Sequence, residues 1–181
     1  MLKYIMGTHI DCIIPKEKSY SVAEIKSKLK SVYNRLQSEY LHLEENGSFT
    51  KKPNGDWWIL LVPSEYENPE YITGEGDSFR IDIYEKVIHI GCVERFSSLY
   101  LEDKNISSEL FKIINEIGKA FRKSDELLLA AGGFGDTDHI LEMAFLEEAD
   151  FNEICKKMYD LHGIPATTLT ALKDKSWFLK K

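Results

Sequence analysis

The sequence predicts an α+β fold: a single domain over residues 1–181, with a mostly antiparallel sheet of about 5–7 strands and two or three amphipathic helices packed on one face. Three observations carry that expectation. Short alternating apolar runs come in consecutive groups, as antiparallel strands joined by local turns do. Two long stretches, near residues 21–43 and 106–121, repeat apolar residues at helical spacing. The resulting order, β-α-β-β-β-β-α-β-β-α, lacks the strict alternation of a doubly wound parallel sheet.

Residues Tyr4–Ile14 alternate, with Tyr4, Met6, Thr8, Ile10, Cys12 and Ile14 on one face and Ile5, Gly7, His9, Asp11 and Ile13 on the other, and Pro15 closes this strand. Ser21 and Glu24 form a capping box, with Tyr20 and Ile25 placed for a hydrophobic staple. Val22, Ile25, Leu29, Val32, Leu36, Tyr40 and Leu43 then predict a helix that stops near Asn46-Gly47. Ser48–Lys51 and Asp56–Val62 flank Pro53-Asn54-Gly55 and predict a hairpin. Residues 64–77 are polar and aperiodic, a long loop. Ser78–Tyr84 and Val87–Val93 alternate again, as two strands or one bent one, because Glu85-Lys86 is a poor two-residue turn. A second helix opens at Ile106-Ser107, with Leu110, Ile113, Ile114, Ile117 and Phe121 on one stripe. Leu127–Ala131 predicts a core strand, followed by a glycine loop and an alternating segment, taken as another strand, that ends at Glu147-Glu148. Asp150 and Glu153 form a second capping box for a helix that stops at Gly163 before Pro165. The tail carries a short helix around Leu169 and Leu172, and Trp177-Phe178-Leu179 docks on the body.

Composition limits what such a fold can do. Hydrophobic residues make up 43% of the chain, enough for one sizeable core without a metal or disulfide staple. A formal net charge of −7 opposes phosphate neutralisation, which disfavours nucleic acid and favours a basic protein partner. Cys12, Cys92 and Cys155 are widely spaced with no C-x-x-C, which fits a cytoplasmic protein. His9 and Asp11 interrupt the N-terminal apolar residues where a signal peptide would need them. The longest apolar run, Trp57–Val62, is six residues, so no membrane span is expected.

Two stretches hold the candidate chemistry. From Glu65 to Glu85 there are seven acids against one base, Arg80. Glu65, Tyr66, Glu67, Glu70, Tyr71, Glu75 and Asp77, with Trp57 of the preceding hairpin, make a candidate partner-binding surface. Tyrosines supply rigid contact area, carboxylates steer a basic partner, and an exposed tryptophan anchors it. The second stretch is the Gly132–His139 loop, where Asp136, Asp138 and His139 follow three glycines and offer ligands for a divalent metal. It fails as a dinucleotide fingerprint, since Asp138 takes the third glycine's place and no helix is expected to follow. As a calcium loop it fails at Ile140 and Leu141. Thiol catalysis would need a cross-strand pairing such as His89 with Cys12, because His9/Cys12 and His89/Cys92 each point to opposite faces of one strand.

The expected function is therefore that of a non-enzymatic cytosolic protein whose acidic surface binds a basic partner, without a cofactor. By size and charge alone, it is analogous to an immunity or antitoxin protein that inhibits a basic toxin or nuclease. The alternative is a metal-dependent hydrolase of phosphorylated or nucleotide substrates, or a small-ligand-binding domain. It would use Asp136, Asp138 and His139, joined by His9, Asp11 or His89 from neighbouring strands.

Overall fold

A computed structural model describes residues 9–39, 43–51, 57–63, 79–100, 104–122, 124–132 and 138–181, some of them by their backbone alone. Among these, seven strands join one antiparallel sheet: β1 (His9–Pro15), β2 (Leu43–Lys51), β3 (Trp57–Pro63), β4 (Phe79–Ile83), β5 (Val87–Arg95), β6 (Leu127–Gly132) and β7 (Trp177–Lys180). Their spatial order is β2-β3-β4-β5-β1-β6-β7. Four α-helices accompany them: α1 (Val22–Glu39), α2 (Lys104–Lys119), α3 (Asp138–Phe145) and α4 (Phe151–His162). The fold is α+β, as the grouped strands predict.

The strand β1 is central, paired antiparallel to β5 on one side and β6 on the other. Its even positions, Ile10, Cys12 and Ile14, are buried in a cluster with Ile25, Leu29 and Val32 of α1 and Leu110, Ile113, Ile114 and Ile117 of α2. On the opposite face Ile13 is buried with Ile140 and Ala144 of α3 and Phe151, Ile154, Cys155 and Met158 of α4. The helices thus lie on both faces of the sheet, where the sequence predicts two or three on one face. The reason is that β1 and β6 are buried on both sides, and each side needs its own cover.

Both capping boxes form. The Ser21 N–H donates to Glu24 Oε2 at 2.8 Å, and the Glu24 N–H to Ser21 Oγ at 3.3 Å. At α4 the Asp150 carboxylate accepts from the Asn152 and Glu153 N–H groups while Glu153 reaches back to the Asp150 N–H at 2.7 Å. Gly163 ends α4 at φ 69°, with its N–H on the Tyr159 carbonyl. Tyr20 spends its ring on Phe121, edge-on at 5.8 Å, and its hydroxyl donates to the Phe121 carbonyl at 3.0 Å.

Two elements differ from expectation. The first helix does not reach Asn46-Gly47, because Leu43–Asn46 pair with Leu60–Pro63 as the start of β2. The register slips between Asn46 and Thr50, so Asn46-Gly47 marks a strand irregularity and not a helix cap. The segment after the glycines is α3 and not a strand. Ile140 and Ala144 are buried one turn apart while Glu142 between them is exposed, a helical pattern that also passes for alternation over so short a run. The turn at Glu85-Lys86 does join two strands, closed by the Tyr84 N–H on the Val87 carbonyl. The Pro53-Asn54-Gly55 turn and the 64–77 loop lie outside the described residues, apart from the paired ends Lys51 and Trp57. The tail docks as β7, with Trp177 fully buried and its Nε1–H donating to the Gly163 carbonyl at 3.0 Å. Among the described residues no helix is long and apolar enough to cross a membrane.

Just past α2 the Arg122 guanidinium is buried, and its Nη2 donates to Asn115 and, at 3.4 Å, to Asp125. Nε and Nη1 are buried with no hydrogen-bond partner among the described residues. Burial pulls the Arg122 pKa down, as expected of a charge with too few acceptors. Replacing it with an apolar side chain of similar length removes that cost. Arg122→Met is expected to stabilise the protein by about 1 kcal/mol, raising the melting midpoint by roughly 2–4 °C in thermal unfolding. A lowered midpoint would contradict the argument.

Candidate functional site

The odd positions of β1 place His9, Asp11 and Ile13 on the α3/α4 face, and the first two are polar. Asp11 stands between Gly91 of β5 and Ala130 of β6, two small residues that leave room around its carboxylate. One step along the ladder, His89 is opposite Ile13, and Asp82 of β4 is directly opposite His89. The turn between β4 and β5 makes that last pairing obligatory, since Ile83 faces Ile88 and Asp82 must face His89.

The three side chains close on one another in the sheet interior. His89 Nε2 lies 2.6 Å from Asp11 Oδ1, and His89 Nδ1 lies 3.1 Å from Asp82 Oδ2. Asp11 and Asp82 are each 1% exposed and His89 is 5% exposed. A ring with a carboxylate at each nitrogen is best satisfied as an imidazolium donating two charge-assisted hydrogen bonds. Burial alone would pull the His89 pKa down, but the bonds to Asp11 and Asp82 outweigh it, and the value is pushed up to about 9.

The chain of contacts reaches the surface at His9. Its Nε2 is 3.5 Å from Asp11 Oδ2, and its side chain is 50% exposed. The opposite residue on β6 is Gly132. A Cβ there would lie 2.1 Å from Asp11 Oδ2 and 2.4 Å from the His9 ring, so the close approach of the two side chains requires glycine. Gly132 thus earns its place through β1 and not through a bound phosphate.

The candidates from sequence fare unequally. His9, Asp11 and His89, offered as helpers to a metal site, come together. Asp136 lies outside the described residues, Asp138 opens α3 with its side chain likewise outside, and His139 is exposed on α3. A helix does follow the glycines, contrary to expectation. Among the described residues no group of three or more histidine, cysteine or acidic side chains is arranged to hold a metal. At His89 the reason is plain, since both ring nitrogens are already committed to carboxylates. Cys12 and His89 cannot pair: Cys12 is buried among the α1/α2 contacts, on the other face from Asp11, and burial pushes its thiol up. Cys155 is buried in α4 with its thiol pushed up to about 12, mainly by desolvation. Glu65, Tyr66, Glu67, Glu70, Tyr71, Glu75 and Asp77 lie outside the described residues, and Trp57 is described only as a position on β3.

Asp82 is the member that the sequence reading leaves out. Its signal is the hairpin itself: counting outward from Glu85-Lys86 pairs 82 with 89, an acid with a histidine.

Comparison of the chain with protein families, curated proteins and solved structures gives no match, so the function is argued from the site.

Two outcomes follow from this geometry. Folding raises the His89 pKa from its ordinary 6.5 to about 9, so its stabilisation is fully present below pH 6.5 and is lost as pH rises through about 9. The melting midpoint of the wild type is expected to fall between pH 6.5 and 9.5, and that fall should be smaller in His89→Gln. Equal slopes in the two proteins would refute the assignment. Gly132→Ala is expected to cost about 1–3 kcal/mol as the carboxylate and ring are displaced, and an unchanged midpoint would show that the site has slack.

Proposed function

We propose that the chain is an enzyme working by general acid–base catalysis, with His9 as the proton carrier. The observation that supports it most directly is a half-exposed histidine set against a buried carboxylate whose other oxygen is anchored. Asp11 orients His9, and His89 and Asp82 are positioning residues that fix Asp11. A neutral His9 that turns Nε2–H toward Asp11 keeps a lone pair on Nδ1 for a proton from water or a substrate hydroxyl. The 3.5 Å spacing is long for a hydrogen bond, as is common in unliganded catalytic pairs.

A purely structural role explains the cluster less well. Burying an imidazolium and two carboxylates carries a desolvation cost of several kcal/mol per ion, and apolar residues of similar volume often serve stability as well or better. Perturbed, desolvated titratable groups that lead to the surface are characteristic of functional sites. The metal-dependent and partner-binding readings draw mainly on residues outside the described set, so the proton-transfer reading is the one with geometry behind it.

The test needs no known substrate. Diethyl pyrocarbonate labels histidines by their nucleophilicity, and peptide mass spectrometry resolves His9 from His139 and His162. Asp11→Asn is expected to change the His9 labelling rate severalfold while leaving His139 and His162 unchanged. In a panel of chromogenic phosphate and carboxylate esters, any turnover found should drop about 10²–10⁴-fold in His9→Gln. Turnover equal to wild type in His9→Gln, or a His9 labelling rate indifferent to Asp11, would defeat the proposal.

A further inference from the structure

We infer that the C-terminal end of α4 and the turn after it form a docking surface for an acidic segment of a partner protein. The segment sets an apolar side chain on Leu161 and Ile164 and its carboxylates on Lys157 and Lys175. The inference goes beyond the proton-transfer reading and does not draw on it.

The helix carries the first argument. Phe151, Ile154, Cys155 and Met158 form its buried stripe. Leu161 continues that stripe two turns on from Ile154, yet it is 47% exposed. Gly163 then turns the chain at φ 69°, and Ile164 beyond it is 69% exposed. Tyr159 is exposed on the same last turns, with its ring edge-on to Trp177 at 5.0 Å, so its uncovered side is presented at little entropy cost. Among the described residues five large hydrophobics are exposed, and three of them are Tyr159, Leu161 and Ile164. Single exposed apolar side chains are ordinary, whereas a group rimmed by polar residues marks a contact surface.

Charge says what covers it. The Trp177 Nε1–H on the Gly163 carbonyl and the parallel bridge of Ala166 with Phe178 lay the turn beside the start of β7, which Lys175 precedes. Lys157 is one turn before Leu161 on α4. Neither lysine has an ion-pair partner among the described residues, whereas Lys156 is paired with Asp160 at 3.0 Å and Lys180 with Asp125 at 3.7 Å. Residues 151–181 hold six lysines against three acids, so the rest of the chain carries more than the whole of the −7. The basic end of an acidic protein attracts acidic partners. A second copy meeting it through the same patch would set Lys157 and Lys175 against their own counterparts. An extended polyanion such as a nucleic acid or an anionic bilayer meets the acidic remainder as well, while a short acidic segment feels only the charges within a Debye length.

The test selects from a random dodecamer peptide library on the full chain, then measures the strongest binders by isothermal titration and amide NMR. Selected peptides are expected to carry aspartate or glutamate around an apolar residue and to shift the Leu161, Gly163 and Ile164 amides. Their affinity should fall about tenfold or more in Ile164→Ser. In Lys157→Glu and Lys175→Glu it should fall severalfold, with a flatter salt dependence. Lys30→Glu, at an exposed position on α1, is the control and should bind as wild type does. Leu161→Gln gives a second reading of the same contact should Ile164→Ser fail to fold. The inference is overturned if nothing is enriched, if the binders are basic, or if acidic binders ignore Ile164→Ser and Leu161→Gln. It is equally overturned by a dimer in sedimentation velocity, or by binding to phosphatidylserine–phosphatidylcholine vesicles, that Ile164→Ser abolishes.

Discussion

Asp11 lies in the middle of the central strand, with a strand on either side and helices over both faces of the sheet. A carboxylate enclosed in this way is tolerated only when a donor meets it. His89 is that donor, at 2.6 Å, and its second nitrogen then requires an acceptor of its own, which Asp82 supplies. One enclosed charge thus fixes residues on three strands. The same requirement holds β4, β5 and β1 to their mutual register, because a slip of one residue would turn the partners to opposite faces.

The cluster leads from the sheet interior to the surface. Two carboxylates flank one imidazolium in a low-dielectric interior. His9 stands over Asp11 Oδ2. Half-exposure puts the ring within reach of whatever lies in front of it.

Much of the fold is legible in the sequence because its signals are local. The two capping boxes, the Gly163 stop and the apolar stripe of α2 depend on residues within a few positions of one another, and they form as expected. The extension of the first helix toward Asn46 fails because Leu43–Asn46 have a better partner in β3, a long-range contact that periodicity cannot see. The segment Asp138–Phe145 fails for the opposite reason, since eight residues are too few to separate a period of two from one of 3.6. The site divides along the same line. Asp82 and His89 can be paired by counting outward from a turn, whereas Asp11 meets them only once β1 is known to lie beside β5. The wide faces of Ile10, Cys12 and Ile14 and of Ile13 announce that β1 is buried, but strand order is set by what the whole sheet can cover.

Gly132 connects this centre to the stretch that first draws attention in the sequence. Three glycines in four residues suggest a loop built to cradle a ligand, yet the first of them answers to a different demand. It is the last residue of β6, opposite His9, and a methyl group there would occupy the space of the Asp11 carboxylate and the His9 ring. The chain from β6 to α3 therefore departs from beside the one histidine of the network that reaches the surface. A glycine at the end of a strand usually reports on the turn that follows. This one reports on the neighbouring strand, because its missing side chain is what allows a buried acid and a surface base to stand within 3.5 Å of each other.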